Sequence, residues 1–67
     1  MPYINIRVTG GQEAPTKAQK DELIQGVTDL LARVLNKNPA STVVIIDEAD
    51  MDNWGLGGKS ATERRKS

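Results

Sequence analysis

One helix-length apolar stripe governs what this chain can build. Leu23, Val27, Leu30, Leu31, Val34 and Leu35 recur at i, i+4, i+7, i+8, i+11 and i+12, which lays them along one face of a helix. Thr16 with Gln19 three positions later forms a capping-box signature at its start. Asn36, Lys37, Asn38 and Pro39 end it, because the residue before a proline is pushed out of helical geometry. The spacing predicts a helix over residues 16–36, roughly 30 Å long.

Shorter patterns flank that helix. Residues 2–8 alternate, with Ile4, Ile6 and Val8 on one side and Tyr3, Asn5 and Arg7 on the other, as in a half-buried strand. Thr42, Val43, Val44, Ile45 and Ile46 form an unbroken β-branched run, which reads as a strand over residues 42–47 covered on both faces. Thr9, Gly10, Gly11, Gln12, Glu13, Ala14 and Pro15 make the first connection a loop. A strand, a crossover helix and a second strand constitute a βαβ unit with parallel strands and a right-handed crossover. An acidic turn follows, then a small hairpin arm over residues 54–59 and a polar, partly mobile tail over residues 60–67. The expected fold class is therefore α/β: a single βαβ unit with a short C-terminal hairpin arm, one domain without internal repeats.

Such a unit is incomplete by itself. One helix covers one face of a two-stranded sheet, while the second strand asks for cover on both faces and both sheet edges stay open. A chain of 67 residues buries only about 60% of its unfolded surface and needs a staple. With no cysteine there is no disulfide or thiolate site, and with no histidine the usual zinc and general-base chemistry is missing. Oligomerisation is the staple that remains. Nine basic residues balance nine acidic ones, which argues against nucleic acid as a partner. No stretch has the length of a membrane span and the opening residues lack the pattern of a secretory signal, so a cytoplasmic protein is expected.

Several short signals dissolve on inspection. Gly57, Gly58, Lys59 and Ser60 end like a P-loop, but Asn53 stands where the motif needs its first glycine, so the glycines read as turn formers. Asp47, Glu48, Asp50 and Asp52 lack the spacing of a calcium loop and read as a solvated turn, with no metal site expected. Arg64, Arg65 and Lys66 read as a solvated terminal run.

Two residues carry chemistry. Proline after an initiator methionine permits removal of Met1, which turns the Pro2 nitrogen from a non-basic amide into a secondary amine. An ordinary α-amino group titrates near ~8, and an apolar pocket lowers such a value, so Pro2 is a candidate general base in a chain that owns neither histidine nor cysteine. Trp54, the single tryptophan, lies among glycines. It reads as an interface anchor, as a hydrophobic wall for a conjugated ligand, or as both.

Taken together, Pro2 opening a strand, the helix carrying Lys20, Asp21, Glu22, Leu23, Ile24 and Val27, the strand with Val43, Val44, Ile45, Ile46, Asp47 and Glu48, and the arm Asn53, Trp54, Gly55, Leu56, Gly57 and Gly58 resemble the 4-oxalocrotonate (2-hydroxymuconate) tautomerase family. The resemblance implies a βαβ subunit that pairs into a dimer with a four-stranded sheet, three dimers making a homo-hexamer. It implies a cofactor-independent isomerase, without metal, whose processed proline moves a proton on a small anionic enol or 2-oxo acid substrate such as a 2-hydroxydienoate or an enolpyruvate. Pro2 takes the catalytic role, and Trp54 with Leu56 on the arm faces the substrate.

The family's two substrate-binding arginines are not in their usual places: Val43 occupies one position, and the loop of residues 9–15 has Gln12 but no arginine. Arg7, on the strand face of Tyr3 and Asn5, is the leading substitute, with backbone N–H groups around Thr9 as further donors. Arg33, Lys59, Arg64 and Arg65 are the other cationic candidates. The alternative reading is a hexameric binding or scaffold protein that kept the fold and lost the chemistry.

Overall fold

The structure, a computed structural model, describes residues 1–66. Strand β1 (Tyr3–Thr9) leads through a 3-10 turn into helix α1 (Lys17–Leu35), and a second 3-10 turn leads into strand β2 (Val43–Ala49). After a third 3-10 turn come the two short strands β3 (Gly55–Leu56) and β4 (Lys59–Ser60), then a terminal helix α2 (Ala61–Lys66).

The helix forms where its local chemistry says it should. The Thr16 side chain accepts from the Gln19 backbone N–H at 3.1 Å, and the Gln19 side chain accepts from the Thr16 N–H at 2.9 Å, which satisfies two of the free donors of the first turn. Asn36 closes it in the left-handed conformation, φ 55 and ψ 41, as short polar residues do at a helix end. Replacing Thr16 by alanine should cost about 1 kcal/mol; at fixed protein concentration this appears as a melting temperature lower by roughly 4–8 °C.

β1 and β2 run parallel, with Ile4 opposite Val44 and Ile6 opposite Ile46. These side chains lie on one face, half-buried under α1, and Lys20 of the helix reaches Glu48 on the same side at 2.8 Å. The pairing is extended at both ends: the Val43 N–H donates to the Pro2 carbonyl at 3.0 Å and the Gly10 N–H to the Ala49 carbonyl at 2.7 Å. Gly10 is the only buried residue among those described, and a Cβ there would stand 3.4 Å from the Glu48 Cβ.

The other face of the sheet has no cover. Tyr3 beside Val43 and Asn5 beside Ile45 stand on it, with Tyr3 62% and Ile45 43% exposed. Among the described residues no hydrophobic side chain is fully buried. The Cα radius of gyration is 14.9 Å, against about 11 Å for a compact domain of this length. The two-sided cover that the β2 sequence calls for is thus half supplied by α1.

Two expectations change. The second strand continues beyond residue 47 to Ala49, because Asp47 and Glu48 both find partners along it: Asp47 accepts from Asn5 and Arg7, and Glu48 from Lys20. The tail expected over residues 60–67 is instead folded as α2 through Lys66, Ser67 lying outside the described residues. Ser60 caps that helix by accepting from the Glu63 N–H at 3.2 Å, and the Trp54 carbonyl receives the Ala61 N–H at 2.7 Å. Ser60 and Glu63 have the spacing of a capping box, the signal in the sequence that marks this helix. Gly57 and Gly58, at φ 64 and 86, form the two-residue turn between β3 and β4, where positive φ at both positions suits the twist of a hairpin.

Candidate active site

Pro2 sits at the head of β1, half-buried, its carbonyl held by Val43 while Met1 before it is 92% exposed. Proline is compatible with this place because the first position of an edge strand needs no N–H donor. The prolyl nitrogen is therefore held in place by the sheet, with the exposed Met1 attached to it.

At the far end of the same strand a cleft of about 380 Å³ is lined by Thr9, Glu13, Trp54, Leu56, Arg64 and Arg65. The first 3-10 turn brings Glu13 to it, the hairpin brings Leu56, and α2 brings the two arginines. Arg65 Nη1 donates to Glu13 Oε2 at 2.6 Å, and the Thr9 hydroxyl donates to the other Glu13 carboxylate oxygen. Arg64 Nη1 lies 3.5 Å from the Leu56 carbonyl oxygen, which it approaches as a donor. The cleft thus has an apolar wall, Trp54 and Leu56, facing a charged rim.

Of the residues singled out in the sequence, Thr9, Trp54 and Leu56 come together here. Pro2 does not: seven steps along the strand put it about 23 Å from Thr9. Arg7 lines neither place. It pairs with Asp47 at 3.4 Å on the uncovered sheet face, and lies about 17 Å along the strand from Pro2 of its own chain. Asp47 also accepts from Asn5 at 2.7 Å, and these bonds, Asn5 first and Arg7 second, hold its carboxyl below the usual value. Such a carboxylate adds stability above its unfolded pKa, and this is lost as pH falls through the lower folded value. Arg7 is thus engaged in holding Asp47. Glu13 and Arg65 are the site residues that the sequence did not single out as a pair, since 52 positions separate them.

The other features carry less chemistry. A groove of about 560 Å³ runs along α1 past Pro15, Leu23, Gly26, Val27 and Leu30, with no nucleophile or base other than Glu22. The acidic residues of the turn are occupied locally: Asp50 accepts from the Asp52 N–H at 3.0 Å, and Asp52 accepts from the Thr62 hydroxyl. Among the described residues none of the helices is long and apolar enough to cross a membrane.

The βαβ subunit therefore has one sheet face uncovered, a strand-initial proline at one end and an aromatic cleft with arginines at the other. Residues 2–64 match the family described as "Tautomerase enzyme". A probable tautomerase K2 of Dickeya dadantii is 59% identical over 66 residues, spanning 98% of this chain and 96% of that protein. A 2-hydroxymuconate tautomerase of Pseudomonas putida is 35% identical over 63 residues, 94% of this chain and 95% of that one. The crystal structure of DmpI from Helicobacter pylori superimposes with a TM-score of 0.89 at 53% identity, covering 98% of both chains. The chain belongs to the tautomerase family, and membership assigns it isomerase-type chemistry at the level of that family.

Proposed function

We propose that this chain is a keto–enol tautomerase that uses the Pro2 nitrogen as general base, needs no cofactor or metal, and converts 2-hydroxydienoate or enolpyruvate-type acids to 2-oxo acids. The observation that carries the reading is a proline at the head of β1 in a chain with no histidine and no cysteine. Removal of Met1 creates the amine, and a wall of Trp54 and Leu56 disfavours its ammonium form, drawing its pKa toward neutrality. The amine takes the proton of the 2-hydroxyl group, the electron pair shifts along the conjugated chain, and the prolinium returns a proton to a carbon of that chain. One O–H bond is broken and one C–H bond formed, so no other reactant is consumed.

The two halves of this site belong to different subunits. A twofold axis that pairs the free edge of β1 with the same edge of a second copy sets the strands antiparallel. The head of one strand then lies beside the end of the other, at the strand spacing of about 4.8 Å. Pro2 of one subunit faces the Thr9 and Trp54 end of its neighbour. Three such dimers, stacked on the face that carries Tyr3, Val43 and Ile45, give the homo-hexamer that the resemblance implies and supply the cover that β2 lacks.

Intact mass tests the base. An active preparation is expected to have lost one methionine, and protein that retains Met1 is expected to ketonise phenylenolpyruvate no faster than buffer does. Undiminished turnover by the Met1-bearing form would refute Pro2 as the base.

A further inference from the structure

We propose that Glu13 and Arg65 are positioning residues: their ion pair clasps the C-terminal arm to the first loop and so sets where the Trp54 and Leu56 wall stands over the cleft. The proposal rests on the tautomerase reading only for its kinetic readout. Glu13 carries it, because its carboxylate touches both sides of the cleft. One oxygen receives the Thr9 hydroxyl from the end of β1, and the other receives Arg65 Nη1 from α2 at 2.6 Å. The base of this contact is firm. The Glu13 N–H donates to the Gly10 carbonyl at 3.2 Å, and the Gly10 N–H in turn to the Ala49 carbonyl of β2 at 2.7 Å.

The arm on the other side is tied within itself. The Ala61 N–H donates to the Trp54 carbonyl at 2.7 Å, the Trp54 N–H to the Met51 carbonyl at 3.4 Å, and the Thr62 hydroxyl to the Asp52 carboxylate. The turn, the hairpin and α2 therefore move together. Arg65 follows Ala61 by four residues in α2, which places it on the same helix face and about 6 Å along the axis. A displacement at Arg65 thus reaches Trp54 through one helical turn and one hydrogen bond. β3 and β4 form a sheet of their own, separate from that of β1 and β2, which leaves the seat of the arm to side-chain contacts such as this one.

The pair is placed to aim the wall more than to stabilise the fold. Its side chains are 51% and 42% exposed, and ion pairs this open shift an equilibrium by about fivefold at most. That is enough to matter at a binding wall. When the arm is seated in only a fraction of the molecules, the apparent affinity for a ligand that needs the wall falls by that fraction, while the complex, once formed, has the wall in place. Loss of the clasp therefore raises KM and spares kcat.

Trp54 is the only tryptophan in the chain, so quenching of its fluorescence by acrylamide, a neutral probe, reports the seat of the arm with no ligand present. The assembled native protein, Glu13→Gln, Arg65→Gln, the double variant and Arg65→Lys are compared by quenching and by ketonisation of phenylenolpyruvate. Each glutamine variant should be quenched more readily than the native protein and should raise KM by about threefold to fivefold, with kcat within about twofold. The double variant should be no worse than either single one, since both remove the same contact. Arg65→Lys should stay near native, because the contact is made through one nitrogen and lysine keeps one charged donor. The proposal is overturned if the glutamine variants are quenched as the native protein is, if their effects add in the double variant, or if Arg65→Lys behaves as Arg65→Gln. It is equally overturned if Glu13→Gln and Arg65→Gln move KM in opposite directions, as they would if Arg65 met the substrate itself. A pair that merely stabilised the fold would lower the melting temperature and leave quenching and KM unmoved, which also overturns it. Failure of the tautomerase reading is seen separately: the quenching pattern holds and supports the clasp, but ketonisation of phenylenolpyruvate by the Met1-free native protein is absent or insensitive to blocking the amine.

Discussion

Replacing Pro2 by alanine should lower kcat for ketonisation by roughly a hundredfold to ten-thousandfold, the range that a positioned general base contributes. The lower end is expected, because alanine leaves a primary amine at the same place. That amine is less basic, and without the ring it is free to rotate about its Cα bond, so it is present but poorly aimed. KM should change little, since Pro2 is proposed as the base and not as a carboxylate ligand. Acylating the amine removes the base entirely and should reduce the rate to that of buffer. A Pro2→Ala protein with native kcat would remove the base assignment, whatever the fate of KM.

The second large effect is on assembly. Ile45 stands on the uncovered sheet face, two positions from Asp47, and is 43% exposed in the single chain. An Ile45→Asp variant places a carboxylate where the proposed hexamer would bury an apolar surface, next to the Asp47 carboxylate that Asn5 and Arg7 already engage. Burial of an unpaired charge costs several kcal/mol per site, and the cost recurs in every subunit. Sedimentation should show the proposed hexamer lost, with turnover lost in parallel if, as proposed, each site spans two chains. Ile45→Val, which removes one methylene for about 0.5–1.5 kcal/mol, should keep both. Native sedimentation by the Ile45→Asp protein would mean that this face stays wet in the assembly. For the native protein the melting temperature should rise with concentration, since folding and association are linked.

The parts of the fold with local causes were legible in the sequence. Thr16 with Gln19, the stripe from Leu23 onward, and the turn chemistry around Asn36 and Pro39 act within a few residues, and α1 follows from them. The alternation of β1 is equally local. β2 was read two residues short because Asp47 and Glu48 are polar, and polarity alone does not disclose that Asn5, Arg7 and Lys20 wait alongside. The terminal helix was missed although Ser60 and Glu63 had capping spacing, since a basic run suggested a solvated end. The site divides in the same manner. Pro2 and Trp54 stand out by their chemistry, whereas the meeting of Glu13 with Arg65 depends on a loop, a hairpin and a helix closing together. Arg7 stood out as a cation on the strand of Pro2, whereas its pairing with Asp47 depends on the register of β1 against β2 and not on its neighbours in sequence.

The length of β1 has an evolutionary consequence. Because the proposed base and the Trp54 cleft lie at opposite ends of one strand, a subunit that lost the base would still offer its cleft to a neighbour, and one that lost the cleft would still offer a base. Two copies of such a gene are therefore free to divide the labour, each decaying at one end, while the mixed assembly keeps intact sites at alternate junctions.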